Sequence, residues 1–125
     1  MKVLIVDDSK AVHAFLDNCF AKKDILATHV YHGGEALELL CQTQDFDLIL
    51  LDWEMPVVDG PTLFDRLAEA GVSIPILMMT TKNEPDDIMF MLTKGAREYM
   101  LKPFTADILF EKMGFVLGVE VKDAA

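Results

Sequence analysis

Apolar residues along the chain fall into two alternating kinds of run. Val3-Leu4-Ile5-Val6 is short, continuous and β-branched, the pattern of a strand buried on both faces. Ser9 then suits a helix N-cap, and Val12, Phe15, Leu16, Cys19 and Phe20 follow at i, i+3, i+4, i+7 and i+8 on one helical face. The alternation continues. Ala27 to Tyr31 predicts a second strand, Gly33-Gly34 breaks it, and Ala36, Leu37, Leu40 and Cys41 form the inward stripe of a second helix. Phe46 to Leu51, ended by Asp52, is the strongest strand signal, and Glu54 to Gly60 reads as a loop. Pro61 suits the first turn of a third helix, with Leu63, Phe64, Leu67 and Ala68 facing inward. Ile74 to Met79 predicts a fourth strand, residues 85–94 a fourth helix closed by Gly95, and Glu98 to Leu101 a short fifth strand. Thr105 caps a last helix carrying Leu109, Met113, Val116 and Leu117. Five strands alternating with five helices predict an α/β fold, a doubly wound five-stranded parallel sheet flanked by five helices. The chain reads as one domain over residues 1–120, with 121–125 as a loose tail.

Composition narrows the function. At 125 residues and 52% hydrophobic the chain is large enough and apolar enough to bury a core. A net charge of −10 argues against nucleic acid as a ligand, because phosphate backbones require clustered Lys and Arg. There is no apolar run of membrane-spanning length and no basic start of a signal peptide, so a cytoplasmic location without membrane insertion is expected. Cys19 and Cys41 lie in apolar helical patterns without CxxC spacing and read as two buried reduced thiols. His13, His29 and His32 lack metal-binding spacing.

The candidate chemistry sits at strand ends. In an open parallel sheet, ligands bind beyond the carboxyl ends of the strands, where the strand order reverses. Asp7 and Asp8 end the first predicted strand, Asp52 the third, Thr80 the fourth and Lys102 the fifth. Each has a plainer reading alone: helix entry for Asp7 or Asp8, a loop cap for Asp52, a β-former for Thr80, a surface lysine for Lys102. Their convergence on one edge outweighs those readings. Three carboxylates in one crevice must share protons, spread apart or bind a cation, and Mg²⁺ suits an all-oxygen donor set. A carboxylate nucleophile, a hard cation, a lysine and a hydroxyl together describe phosphoryl transfer to an aspartate.

With those residues in view, the sequence resembles the receiver domains of two-component response regulators, which have a flavodoxin-like fold. The resemblance runs from Lys2 to about Leu117. It is carried by Val6-Asp7-Asp8-Ser9, Leu51-Asp52-Trp53-Glu54-Met55-Pro56, Asp59-Gly60, Met79-Thr80-Thr81, and Tyr99 followed by Lys102-Pro103-Phe104. The stretch Asp52 to Pro56 is especially similar to single-domain chemotaxis regulators. The resemblance implies that Asp52 is the phosphoacceptor. It implies that Asp8, Asp52 and the Glu54 carbonyl hold Mg²⁺, with Asp7 helping through water. Thr80 and Lys102 are expected to grip the phosphoryl group, Tyr99 to act as a rotating switch, and the Lys102–Pro103 bond to be cis. Glu54 and Lys82 occupy positions that tune phosphate lifetime and are expected to pair across the crevice mouth. Thr81 stands where the family usually has alanine, which tightens access beside the site.

The expected function is therefore a phosphoacceptor switch in phosphorelay signal transduction, not a turnover enzyme. Its expected partners are a histidine kinase or histidine phosphotransfer protein and a downstream target protein. Without an output domain it is expected to signal by docking. Ile88 and Leu92 are read as an exposed stripe beside Tyr99, extended by Ile108, Lys112 and Phe115, and suited to a partner helix or a homodimer. The alternatives are a phosphorelay intermediate, a receiver cut from a longer protein, a haloacid-dehalogenase-type phosphatase and a flavodoxin-like electron carrier. Such a phosphatase wants aspartate where Glu54 stands, and the electron carrier wants a Ser/Thr/Gly-rich phosphate loop where Asp7-Asp8 stand.

Overall fold

Val3–Val6, Leu48–Leu51 and Ile76–Met79 are apolar on both faces, so each of these strands must be covered twice. The computed structural model, which describes residues 1–124, meets that demand with ten alternating elements. They are β1 (Lys2–Val6), α1 (Lys10–Phe20), β2 (Leu26–Val30), α2 (Gly33–Gln42), β3 (Leu48–Asp52), α3 (Gly60–Glu69), β4 (Ile76–Thr80), α4 (Pro85–Lys94), β5 (Glu98–Leu101) and α5 (Ala106–Leu117). All strand pairs are parallel and the sheet order is β2-β1-β3-β4-β5. This is the predicted doubly wound sheet.

Alternation along the strands splits the core in two. Leu4, Val6, Ile49, Leu51 and Met78 point to one face and pack with Ala36, Leu40, Leu63, Leu67 and Met91 of α2, α3 and α4. Val3, Ile5, Leu48, Leu50, Leu77 and Met79 point to the other and pack with Leu16, Phe20, Leu109 and Met113 of α1 and α5. Truncating one of these fully buried side chains, as in Leu50→Ala, costs about 2–5 kcal/mol. The helix entries are capped locally. Ser9, Asp59 and Thr105 side chains accept from the backbone N–H groups of Val12, Thr62 and Ile108.

Several boundaries and exposures differ from the sequence reading. β4 begins at Ile76, not Ile74, because Pro75 has no N–H to donate to the ladder. β3 begins at Leu48: Phe46 closes a turn onto the Gln44 carbonyl, and the Asp47 side chain is tied to the Lys2 N–H. Cys41 and Ala68 are exposed, and Cys19 is only half-buried. α2 keeps the expected Leu37 toward the core and turns Leu39 there instead of Cys41, which lies about 100° round the helix from Leu40. The segment after α5 is not loose over its described residues. Gly118, in the left-handed conformation at φ 67°, reverses the chain. Val121 is then buried in the α1–α5 core, and Lys23 and Asp123 pair as an antiparallel bridge. Ala125 lies outside the described residues. Among those residues, no helix is long and apolar enough to cross a membrane.

Candidate functional site

Parallel strands end at one edge of the sheet, and the chain turns polar there. Asp7 follows β1, Asp52 closes β3, Thr80 closes β4, and Lys102 follows β5. β1 and β3 are neighbours although β2 lies between them in sequence, so the strand order reverses at the point where Asp7 and Asp52 meet. Backbone bonds hold the register: Trp53 N–H donates to the Met79 carbonyl (2.9 Å) and Lys102 N–H to the Thr80 carbonyl (2.8 Å). The Lys102–Pro103 peptide is cis, as expected.

Asp7 and Thr80 are fully buried and Asp52 is 2% exposed, while Asp8 is open to solvent. The Lys102 ammonium lies 2.9 Å from Asp7 Oδ2 and 3.1 Å from Asp52 Oδ1. Asp7 Oδ1 accepts from the Ser9 N–H at 2.8 Å, and Asp52 Oδ1 accepts from the Glu54 N–H at 3.2 Å. Burial, then the charge of Asp7, push the Asp52 carboxyl up from 3.8 to about 7, although Lys102 and the Glu54 N–H pull the other way. For Lys102, burial disfavours the cation, but the bond to Asp7 and the charges of Asp52 and Asp7 outweigh it, and its pKa is raised.

One carboxylate oxygen each from Asp7, Asp8 and Asp52 lie within 4.8 Å of one another. Oxygens on a single Mg²⁺ lie at most about 4.2 Å apart at its 2.0–2.1 Å bond lengths, so a small side-chain turn would close the set. The donors are all oxygen and Asp8 leaves one side open to water. The residues present fit a hard divalent cation.

Glu54 departs from expectation. Among the described residues no ion pair joins it to Lys82, which is exposed and donates its own N–H to Thr80 Oγ1 at 3.0 Å. Glu54 Oε1 instead accepts from the Thr80 hydroxyl (2.7 Å), the Thr81 N–H (3.0 Å) and the Thr81 hydroxyl (3.1 Å). Three donors from Thr80 and Thr81 take the Glu54 oxygen, and the Lys82 side chain stays in solvent.

The predicted docking residues are sorted differently by the fold. Ile88 packs against the core, while Met89, Phe90 and Leu92 are the exposed apolar residues of α4. The helix rotates one stripe inward, and the fully buried Met91 marks it. Tyr99 is half-buried on edge strand β5, with the Lys112 ammonium 5.1 Å from its ring centre and 3.5 Å from Glu98. Ile108 and Phe115 are exposed on α5, and Phe115 reaches 72%. α4 and α5 thus flank β5 from opposite faces of the sheet.

Two features escaped the sequence reading. His13 is buried, and its Nε2–H donates to the Asp7 carbonyl at 2.8 Å, anchoring the end of β1. Its other nitrogen meets His29, whose Nε2 pairs with Asp17 at 2.8 Å. Nothing in the linear spacing of these histidines signals that meeting. Beside the site, a groove of about 440 Å³ is lined by Val12, Phe15, Thr81, Lys102, Pro103 and Phe104. Phe15 and Phe104 meet edge to face along one wall of it, their ring centres 5.7 Å apart.

Comparison with known proteins agrees with this geometry. Residues 3–113 match the family model of the response regulator receiver domain. A chemotaxis protein CheY homolog of Campylobacter jejuni is 34% identical over 123 residues, covering 94% of this chain and 93% of that protein. Chemotaxis protein CheY1 of Helicobacter pylori is also 34% identical over 123 residues, covering 94% of this chain and 98% of the relative. The structure of chemotaxis protein CheY4 of Vibrio cholerae superposes with a TM-score of 0.85 at 29% identity, over 93% of this chain and 98% of that one. The chain belongs to the response regulator receiver domains, the signalling domains of two-component systems, and within them it is similar to the single-domain CheY proteins.

Proposed function

We propose that Asp52 accepts a phosphoryl group from a histidine kinase or histidine phosphotransfer protein, and that the phosphorylated chain signals by docking on a downstream target. One observation carries the reading: a buried carboxylate at the switch point has a lysine on one oxygen and two further carboxylates within 4.8 Å. An Asp52 oxygen attacks the donor phosphorus, and a new P–O bond forms as the donor's P–N bond breaks. The imidazole nitrogen leaves with the electron pair and takes up a proton. The Asp8 and Asp52 carboxylates, with Asp7 and the Glu54 carbonyl, would hold Mg²⁺. When bound, the ion supplies positive charge against the phosphoryl oxygens. Lys102 neutralises a further oxygen, and the Thr80 hydroxyl donates to another. Burial excludes bulk water from the acyl phosphate, which sets slow self-hydrolysis rather than turnover. The groove beside Lys102 gives the donor a place to rest, with Phe15 and Phe104 as its apolar wall.

The output follows from Thr80. Once it turns toward the phosphoryl group, Tyr99 on the neighbouring strand and the flanking residues of α4 and α5 redistribute between arrangements already present. Met89, Phe90 and Leu92 on one side, and Ile108, Lys112 and Phe115 on the other, form the docking face for the target or for a second copy of the chain. The net charge of −10 supports protein rather than nucleic acid as the target. The test is to incubate the chain with Mg²⁺ and acetyl phosphate and read intact mass. One added phosphoryl group on the wild type and none on Asp52→Asn is expected. Equal labelling of the two would move the acceptor elsewhere.

A further inference from the structure

Glu54 takes up the Thr80 hydrogen that a phosphoryl group on Asp52 would use, and the neighbouring Thr81 N–H with it. Its Oε1 accepts from the Thr80 hydroxyl at 2.7 Å and from the Thr81 N–H at 3.0 Å. A threonine hydroxyl has one hydrogen and a backbone amide has one. The Thr80 oxygen is itself already an acceptor, from the Lys82 N–H at 3.0 Å. Thr80 therefore cannot donate to a phosphoryl oxygen while it donates to Glu54. The two acceptors are also both anionic and are carried two residues apart, so they repel each other when both are in place. The two occupancies exclude one another.

The contact is also poised to open. Glu54 Oε2 is buried with no hydrogen-bond partner among the described residues, while Oε1 takes all three donors. A bare buried carboxylate oxygen is unfavourable, and turning the side chain outward would rehydrate it. Three local bonds hold the carboxylate in, and desolvation of its second oxygen pushes it out. The repulsion of an incoming phosphoryl anion adds to that push.

We propose that the Glu54 carboxylate is an internal stand-in for the phosphoryl group, a latch that occupies Thr80 and the Thr81 amide before phosphorylation and must swing out for it. This deepens the role of position 54 and rests on Asp52 being the phosphoacceptor. The latch sets a threshold: part of the binding free energy of the incoming group is spent displacing Glu54. It also holds the Thr80 hydroxyl on Glu54 in the unphosphorylated chain, so that Thr80 cannot turn to a phosphoryl group on Asp52 until Glu54 leaves.

The test is the affinity for beryllofluoride, a tetrahedral phosphoryl analogue, with Mg²⁺ present and Trp53 fluorescence as the readout. Trp53 is the only tryptophan and adjoins Asp52, so the signal is local. Removing a displaced charge-assisted contact should tighten binding by Glu54→Ala at least about tenfold. Glu54→Gln keeps an acceptor but loses the charge and should fall between. It also serves as the folded comparison if the alanine chain is unstable. A structural role alone would weaken binding in both variants. Binding by Glu54→Ala equal to or weaker than wild type overturns the latch. Binding by neither protein, with Asp52→Asn indistinguishable from both, overturns the phosphoacceptor reading beneath it.

Discussion

The Nζ of Lys102 lies 3.1 Å from Oδ1 of Asp52, joining the end of β5 to the end of β3 over the intervening β4. The bond lowers the Asp52 pKa without offsetting what raises it. Burial and the charge of Asp7 hold its pKa at about 7, against 3.8 ordinarily. A carboxyl whose pKa is raised by folding favours the folded state most below its unfolded pKa, and that contribution is lost as pH rises through the folded value. In metal-free protein, the wild-type urea midpoint should therefore decline relative to that of Asp52→Asn as pH rises from 3.8 toward about 7. A wild-type-minus-variant difference that stays flat across this window would show that Asp52 is not perturbed.

Mg²⁺ should counter the same crowding. At 100 times its dissociation constant the ion adds roughly 2.7 kcal/mol by mass action, seen as a higher melting temperature. Protons compete with it at Asp52, so the rise should be larger above the Asp52 pKa than a unit or more below it. Asp52→Asn should be more stable than wild type without metal, and less responsive to it. Melting curves with and without millimolar Mg²⁺ at two pH values decide the matter.

At Gly60 the acceptor loop tolerates no side chain. A Cβ there would sit 2.6 Å from the Trp53 Cα and 2.9 Å from its carbonyl oxygen, and the Gly60 N–H donates to that same carbonyl at 3.0 Å. Backbone cannot yield as a flexible side chain would. Gly60→Ala should cost about 1–3 kcal/mol in urea unfolding and shift Trp53 emission. Gly34→Ala, whose nearest contact is an ordinary 3.5 Å to the exposed His32 ring, should instead stabilise α2 by roughly 0.5–1 kcal/mol.

The docking face can be separated from the fold by two adjacent residues on α4. Leu92 is 38% exposed and Met91 fully buried. Leu92→Asp should cost roughly 1–2 kcal/mol, from its partly buried apolar area and an acid in the last turn of α4, and leave Asp52 labelling by acetyl phosphate at the wild-type rate. Met91→Ala should cost about 2–5 kcal/mol. Sedimentation of the beryllofluoride-bound chain, alone and with a purified target, then reads the face. Unaltered association by Leu92→Asp would exclude α4 from it.

Much of the architecture is legible along the chain because its causes are local. A β-branched run such as Val3 to Val6, a capping Ser9 or Thr105 and a stop at Gly95 act within a few residues of themselves. Strand ends were harder to read where partners across the sheet set them. Phe46 looks like strand from its side chain, yet the backbone beside it is tied to Lys2. The exposure of Cys41, Ala68 and Ile88 depended on how far each helix rolls on the sheet, which a stripe of apolar residues leaves open by about a third of a turn.

Local pattern along the chain specified the alternation of elements, the parallel sheet and the set of polar residues at its carboxyl edge. It did so because periodicity and strand polarity are properties of short windows. Tertiary structure alone decided which of those polar groups touch. It set Lys102 against both Asp7 and Asp52, sent Glu54 to Thr80 and Thr81 instead of Lys82, and put His13 under the Asp7 carbonyl. It also packed Val121 into the core where a free tail was expected. Each of these contacts joins residues far apart in sequence or depends on one side-chain rotation. Competition among nearby donors settles such contacts, and it exists only once the strands lie side by side.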